Sequence, residues 1–355
     1  MKFDLSEDQI ALRDAVTDYL ADTCPIPVTL AAHEDATRDK EIWDGLMALG
    51  VGGVNIPARH GGIGLGMLDL AVIAEAVGRF AAPGRFFPHA LATQALILSE
   101  NEATKAEWLP KLASGEALAT IALAEGQQRW LAEDWMLAGN ERLSGSKLFV
   151  PVADEADLII VGLEGRDLAL VETSAEGLRI AATPTFDGGR PLFEVSFDAT
   201  PCTRLAGADG TRLCDAGLLL LCADAIGGAA HCVDSSVAYA KEREQFGRPI
   251  GSFQAVKHQL ADMALEVEPS MGLFWYAANI YDSNSVESAQ FSALAKAHFT
   301  DLYAAMARRM IEMHGGIGYT WEFGAHVWLK RSVFDRTFLG TPTIHRARYA
   351  QLAGW

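Results

Sequence analysis

Cysteine is scarce in this chain. The five cysteines (Cys24, Cys202, Cys214, Cys222, Cys232) among 355 residues form no CxxC pair and no His-linked zinc spacing. That excludes a disulfide framework and a sequence-encoded zinc centre, and leaves buried, reduced thiols as the expectation. Basic charge is also short: 29 Lys and Arg stand against 46 Asp and Glu, a formal net charge of −17. Such a surface repels phosphate backbones and anionic headgroups, so neither nucleic-acid binding nor attachment to a charged membrane is expected. A small anionic ligand needs only a local basic patch and stays open. Long apolar runs are missing as well. The longest, residues 218–223, ends at Asp224 and is too short to span a bilayer, so membrane insertion is not expected. Residues 1–8 contain no apolar stretch of the secretory type, which makes a cytoplasmic protein the expectation. What is present is bulk: half of the residues are hydrophobic, enough for a large core divided over two or three domains.

The texture of the sequence changes twice. Ser6 followed by Gln9 reads as a capping box ahead of Ile10, Leu12, Val16 and Leu20 at helical spacing. Pro25 and Pro27 interrupt that helix. A second amphipathic stretch runs from Ile42 to Leu49 and is stopped by Gly50, the glycine-rich residues 57–66 read as a loop, and residues 67–77 and 103–112 are helical again. From about residue 118 short β-rich runs take over (148–150, 158–161, 168–171, 192–197), bounded by Gly, Asp and Pro. Their spacing predicts a compact antiparallel β domain rather than βαβ units. From about residue 212 four long Ala/Leu/Met-rich segments (212–241, 253–282, 286–314, 321–337) read as a four-helix bundle. The predicted organisation is an α+β multidomain chain: an N-terminal helical domain over 1–117, a middle β domain over 118–208 and a C-terminal helical bundle over 209–355.

Two stretches carry chemistry. Arg243, Phe246, Ile250 and Gln254 combine a guanidinium that can fork onto a phosphate with an aromatic that can pack on a base. On a continuous helix they would share a face, although Pro249 argues for a loop. The competing reading makes Phe246 and Ile250 core and Arg243 a surface ion pair. Gly315 and Gly316, in Glu312-Met313-His314-Gly315-Gly316-Ile317-Gly318, let backbone N–H groups approach a phosphate; a plain helix–helix turn would look similar. The cluster His345-Arg346-Ala347-Arg348 either meets a phosphate or complements the dipole of the last helix.

These motifs, in order, resemble those of the FAD-dependent acyl-CoA dehydrogenase family over almost the whole chain. Trp43-Asp44-Gly45-Leu46, Ile56-Pro57, Gly61-Gly62-Ile63-Gly64-Leu65-Gly66 and Pro110-Lys111-Leu112-Ala113-Ser114-Gly115-Glu116 are similar to its N-terminal signatures, and residues 243–254 to its flavin-contacting segment. The resemblance implies helices, then β, then helices, with FAD as cofactor and an acyl-CoA as substrate. It also implies an oligomer, a homologous acyl-CoA dehydrogenase subunit as partner, and electron-transfer flavoprotein as a candidate electron acceptor. Arg243, Phe246, Ile250, Gln254, Glu312, Gly315 and Gly316 would touch the tail of a neighbour's FAD.

The departures are as informative. The family's catalytic glutamate falls at Leu339, in Phe338-Leu339-Gly340-Thr341, and its alternative position falls at Gly217, so no catalytic residue is assigned. Glu312 replaces a glutamine. The family's Thr-Glu-Pro and Gly-Ser-Asp become Ala124-Glu125-Gly126 with no Gly-Ser-Asp following, and its ring-binding Trp-Ile-Thr becomes Phe149-Val150-Pro151. What resembles the contact to a neighbour's flavin tail is largely kept, while what would bind and use a flavin within the same chain is lost. The expectation is a non-catalytic or half-site subunit of a heteromeric complex. The alternatives are a homo-oligomer using Glu125, Asp335 or Asp215 as an unorthodox base, or a flavin-free scaffold. Residues 315–322 and 339–346 further resemble members concerned with steroid or other bulky acyl-CoA catabolism.

Overall fold

The computed structural model describes residues 4–32, 36–283 and 285–355. The capping box closes α1 (Glu7–Thr23): the Gln9 N–H donates to Ser6 Oγ over 3.2 Å, and the Ser6 N–H donates to Gln9 Oε1 over 2.9 Å. The interruption at the prolines lasts only two residues. Helix α2 (Ile26–Ala32) restarts at once, with Pro27 in its first turn, where no N–H is needed. Helix α3 (Ala36–Ala48) stops before Gly50, whose φ of 81° suits glycine. Then come α4 (Met67–Arg79), α5 (Phe86–Leu98) and α6 (Glu102–Ser114).

The middle layer holds two sheets. One has the order β1 (Ala119–Ala122), β3 (Leu158–Leu163), β4 (Asp167–Glu172), β7 (Thr203–Arg204); the other has β2 (Arg142–Pro151), β6 (Leu192–Pro201), β5 (Leu178–Thr183). The pairings are antiparallel except β1 with β3, which run parallel. Leu143, Val150, Val161, Val171, Phe193 and Val195 form part of a core of their own in this layer. A register shift in β2 between Lys147 and Val150 puts Phe149 at φ 55° and leaves it 38% exposed.

Helix α7 (Gly210–Glu242) is long and apolar enough to cross a membrane, yet 83% of its most apolar window is buried inside the protein. It is the core helix. It packs on α4 through reciprocal glycines: a Cβ on Gly78 would lie 2.1 Å from the Asp224 carbonyl oxygen, and one on Gly227 would lie 1.9 Å from that of Glu75. The segment 253–282, expected as one helix, is two: α8 (Gln254–Val267) and α9 (Met271–Tyr281), separated at Glu268-Pro269-Ser270 because Pro269 cannot continue an α-helical ladder. Helix α10 (Val286–His314) crosses the bundle, α11 (Ala325–Thr337) follows a turn over residues 321–323, and α12 (Pro342–Leu352) adds a helix that the periodicity did not reveal. A continuous apolar cluster joins the N-terminal helices to α7, α10 and α11.

Candidate functional site

Between α11 and α12 the chain makes a tight turn in which Leu339 has φ 57° and Gly340 φ 96°. Two buried side chains hold it. Lys296 Nζ, from α10, donates to the carbonyl oxygens of Asp335 and Phe338, the latter over 2.7 Å. His345 Nε2 donates to the Leu339 carbonyl over 2.8 Å. Burial, with the Lys296 charge adding to it, pushes the His345 imidazole down to about 3, so it is neutral near pH 7; burial brings the Lys296 ammonium down to about 8. The Leu339 side chain is fully buried against α7 and α5: a Cβ on Gly217 would lie 2.5 Å from Leu339 Cδ1 and 2.9 Å from Leu91 Cδ2. The two positions at which the sequence lacks a base are therefore one place in space, closed by aliphatic contact.

The three carboxylates considered as substitutes are all committed elsewhere. Glu125 Oε1 accepts from Lys147 Nζ (2.6 Å) and the Leu137 N–H (3.0 Å), and Oε2 from the Met136 N–H (2.9 Å). Burial alone would raise the Glu125 pKa, but Lys147 and the backbone donors outweigh it and hold it below the usual range. Asp215 accepts from Arg348 over 2.5 Å, and burial pushes its pKa up against that partner. Asp335 is fully buried and accepts from Arg190 over 2.6 Å. Its pKa is raised well above the usual range, by burial first and the adjacent Asp224 charge second. Asp335 belongs to a buried ionic knot. Arg190 also binds Asp224, Arg331 donates to Asp187 over 2.5 Å and to the carbonyls of Ala81 and Ala82, and the knot ties the β layer to α7, α11 and the α4–α5 turn. Breaking such a pair from one side costs about 3–5 kcal/mol, which marks it as structural.

Beside the turn, a cleft of about 330 Å³ opens between the β layer and α11–α12, lined in part by Trp130, Phe149, Phe186, Phe334, Phe338 and Thr341. Trp130 stacks on Phe149 (centroids 5.6 Å apart, planes at 16°) and packs on Phe338 (4.9 Å), which stacks on Phe334 (4.8 Å). Sequence reasoning assigned no role to Trp130 or Lys296, and read His345 only as part of a basic cluster. A lysine amid the apolar face of α10 was the available signal for Lys296.

The seven residues expected at a flavin tail lie on the outer end of the helical bundle. Arg243 caps α7. The chain then forms a small ribbon, with Glu244 and Gln245 paired to Pro249 and Arg248, before Gln254 opens α8. The four residues thus occupy a loop and two helix ends, as Pro249 implied, and not one helical face. Phe246, at φ 55°, is 93% exposed, which overturns the reading of it as core. Ile250 is half-buried, and Arg243 is exposed with no ion pair among the described residues. Gly315 (φ 60°) and Gly316 face open space, with no atom within 4 Å of an added Cβ. A tilted ring contact of Tyr239 with His314, centroids 4.3 Å apart, ties the end of α7 to this glycine turn. Glu312 is exposed and lines a groove of about 260 Å³ with Gln259, Asp262, Met263 and Arg309, so two carboxylates stand in that groove. The basic cluster of α12 does not complement the dipole of that helix, which has no basic residue in its last turn. His345 clamps Leu339, Arg346 pairs with Asp301 and Arg348 with Asp215, all short of the helix C-terminus.

Comparison with known proteins agrees over both helical regions. The acyl-CoA dehydrogenase N-terminal domain matches residues 6–116 and the acyl-CoA dehydrogenase C-terminal domain residues 215–353. The chain is 30% identical over 340 residues to acyl-CoA dehydrogenase IpdE2 of Mycolicibacterium smegmatis, covering 95% of this chain and 96% of that protein. It is 31% identical over 346 residues to acyl-CoA dehydrogenase FadE34 of Mycobacterium tuberculosis, covering 95% of this chain and 46% of that longer protein. Among solved structures, a variant of the Tcur3481-Tcur3483 steroid ACAD superposes with a TM-score of 0.90 at 28% identity over 98% of both chains.

Proposed function

The chain belongs to the acyl-CoA dehydrogenase family, and we propose on that basis that it is a non-catalytic or half-site subunit of a heteromeric FAD-dependent acyl-CoA dehydrogenase. The observation that carries this reading is the contact of Leu339 with Gly217. Abstraction of a proton α to a thioester needs a carboxylate of suitable pKa at the reacting carbon. Here both base positions meet in a dry aliphatic contact, and Glu125, Asp215 and Asp335 are each bound to a cation. A homologous subunit would supply the glutamate and the acyl-CoA pocket.

FAD, when bound, supplies the hydride acceptor for this chemistry. The fit of this chain to it is uneven. On the outer face, exposed Arg243 and Phe246 and the open Gly315-Gly316 turn suit the adenosine-diphosphate end, with Ile250 and Gln254 beside them, while Glu312 opposes a phosphate unless it points away. In the cleft the ring has poor provision: Pro151 has no N–H to donate, and the Glu125 carboxylate is saturated. The homo-oligomeric alternative with an unorthodox base is weakened by the ion pairs of Glu125, Asp215 and Asp335. A bulky, steroid-like acyl group is the substrate class suggested by the steroid ACAD relative.

The test is co-expression with a family member that carries the glutamate. The expected complex holds one flavin per two chains and dehydrogenates an acyl-CoA, passing electrons to an electron-transfer flavoprotein, while the lone chain is inactive. A purified lone chain with ordinary dehydrogenase turnover would overturn the reading.

A further inference from the structure

We infer that Trp130 fills, from within the chain, the slot that a flavin ring would take between the β layer and the α11–α12 turn. The slot is identified on the reading proposed above, from Phe149 and Pro151 on one wall and Phe338 to Thr341 on the other. The geometry distinguishes a plug from a platform. A stacking platform touches one wall and leaves its other face free. The Trp130 indole touches both: it lies parallel to Phe149 at 5.6 Å on the β-layer side and against Phe338 at 4.9 Å on the helix side. A second ring cannot enter between Phe149 and Phe338 while the indole is there, because stacked rings need about 3.5 Å on each face.

The backbone that delivers the indole supports the same conclusion. Glu125 and Arg129 are bridged, the Glu125 N–H donating to the Arg129 carbonyl over 3.1 Å, and the Trp130 N–H donates to the Gln128 carbonyl over 3.0 Å. This tight turn puts two successive non-glycine residues, Gln127 and Gln128, at φ 62° and 60°. Each such residue costs on the order of 1 kcal/mol, and both side chains are exposed and recover little of it by packing. The turn delivers the Trp130 ring to its contacts with Phe149 and Phe338. The rim is completed by Phe334, stacked on Phe338, and Phe87, edge-on to it at 5.6 Å. The chain thus replaces a cofactor ring with its own aromatic cluster.

Lumiflavin, the ring without ribityl or nucleotide, isolates the slot from the outer-face tail contact. Its fluorescence is titrated with the lone full-length chain and with Trp130→Ala and Trp130→Leu, the leucine variant keeping the turn apolar should the alanine variant unfold. The expected result is no quenching by the wild type and at least tenfold tighter binding by a folded variant, its fold checked by circular dichroism. Unchanged binding in both folded variants overturns the plug. So does the opposite sign, a wild type that binds lumiflavin with loss of indole emission and variants that do not. Lumiflavin lacks the nucleotide, so either failure leaves the heteromer reading standing, and an active lone chain would remove that reading without altering these titrations.

Discussion

The two halves of the expected flavin site have opposite physical character. The inner half, around Leu339, Gly217 and Trp130, is closed: Lys296 and His345 satisfy the carbonyls of the turn, aliphatic groups close the base position, and Trp130 occupies the gap between Phe149 and Phe338 at the edge of the cleft. The outer half, from Arg243 to Gln254 with Gly315 and Gly316, is open: a phenylalanine stands almost fully exposed and two glycines face empty space. Close packing at Leu339, Gly217 and Leu91 leaves no room for a new group there without a loss of contacts. An exposed aromatic beside a guanidinium with no ion pair among the described residues is surface that a partner or ligand can cover. The contrast teaches that the turn carrying Leu339 is held and closed by its own chain, while the residues expected at a flavin tail stand uncovered.

The strongest way to break that contrast is to restore the missing carboxylate. Leu339→Glu would place a charge in a fully buried aliphatic contact, with Lys296 already engaged by two carbonyls. A loss of about 4 kcal/mol is expected in urea denaturation, with no gain of dehydrogenase activity in the lone chain. A stable, active variant would show that the inner half is an empty active site and not a filled one.

Next in size is an acid limb. Burial holds His345 at about 3 and His89 at about 4 in the folded chain, against 6.5 as the ordinary value. Between pH 6.5 and 4 the unfolded chain binds protons that the folded chain refuses, so stability falls as pH falls through that window. The contribution of His345 is expected to be about 3 kcal/mol at pH 4. His345→Gln, which keeps an N–H for the Leu339 carbonyl, should flatten the stability–pH curve between pH 6.5 and 4. An unchanged slope would mean that the turn is not sealed.

How much of this was legible beforehand follows the same division. The helix–β–helix order was readable because α1, α4, α6 and α10 carry periodicity and stop signals, and Leu339 and Gly217 were readable because a motif frames them. Helix α5 was not, because it is apolar all round and nearly every residue in it is buried, which removes the periodic signal. The knot of Asp187, Arg190, Asp224, Arg331 and Asp335 draws on three separate stretches, and nothing in any one of them names its partners. Trp130 was beyond reach for another reason: its direction depends on two glutamines in a left-handed turn, which no propensity favours.

Smaller effects sharpen the comparison further. Gly217→Ala gains helix propensity but drives a methyl to 2.5 Å from Leu339 Cδ1, so a net loss of about 1–2 kcal/mol is expected from calorimetry. Its counterpart on the open half is Phe246→Ala. The ring is 93% exposed and its nearest aromatic neighbour, Phe253, is 6.1 Å away edge-on, so truncation should change folding stability by no more than about 0.5 kcal/mol. If the outer half is a binding surface, the cost moves to assembly: an exposed aromatic that becomes central to an interface is worth about 2 kcal/mol, a weakening of roughly thirtyfold. Sedimentation of the complex with its glutamate-bearing partner, with flavin absorbance recorded along the boundary, reads that difference directly. Loss of flavin and partner at unchanged melting temperature would place the binding energy on the open half. A complex indifferent to Phe246 would mean that this exposed ring is surface and nothing more.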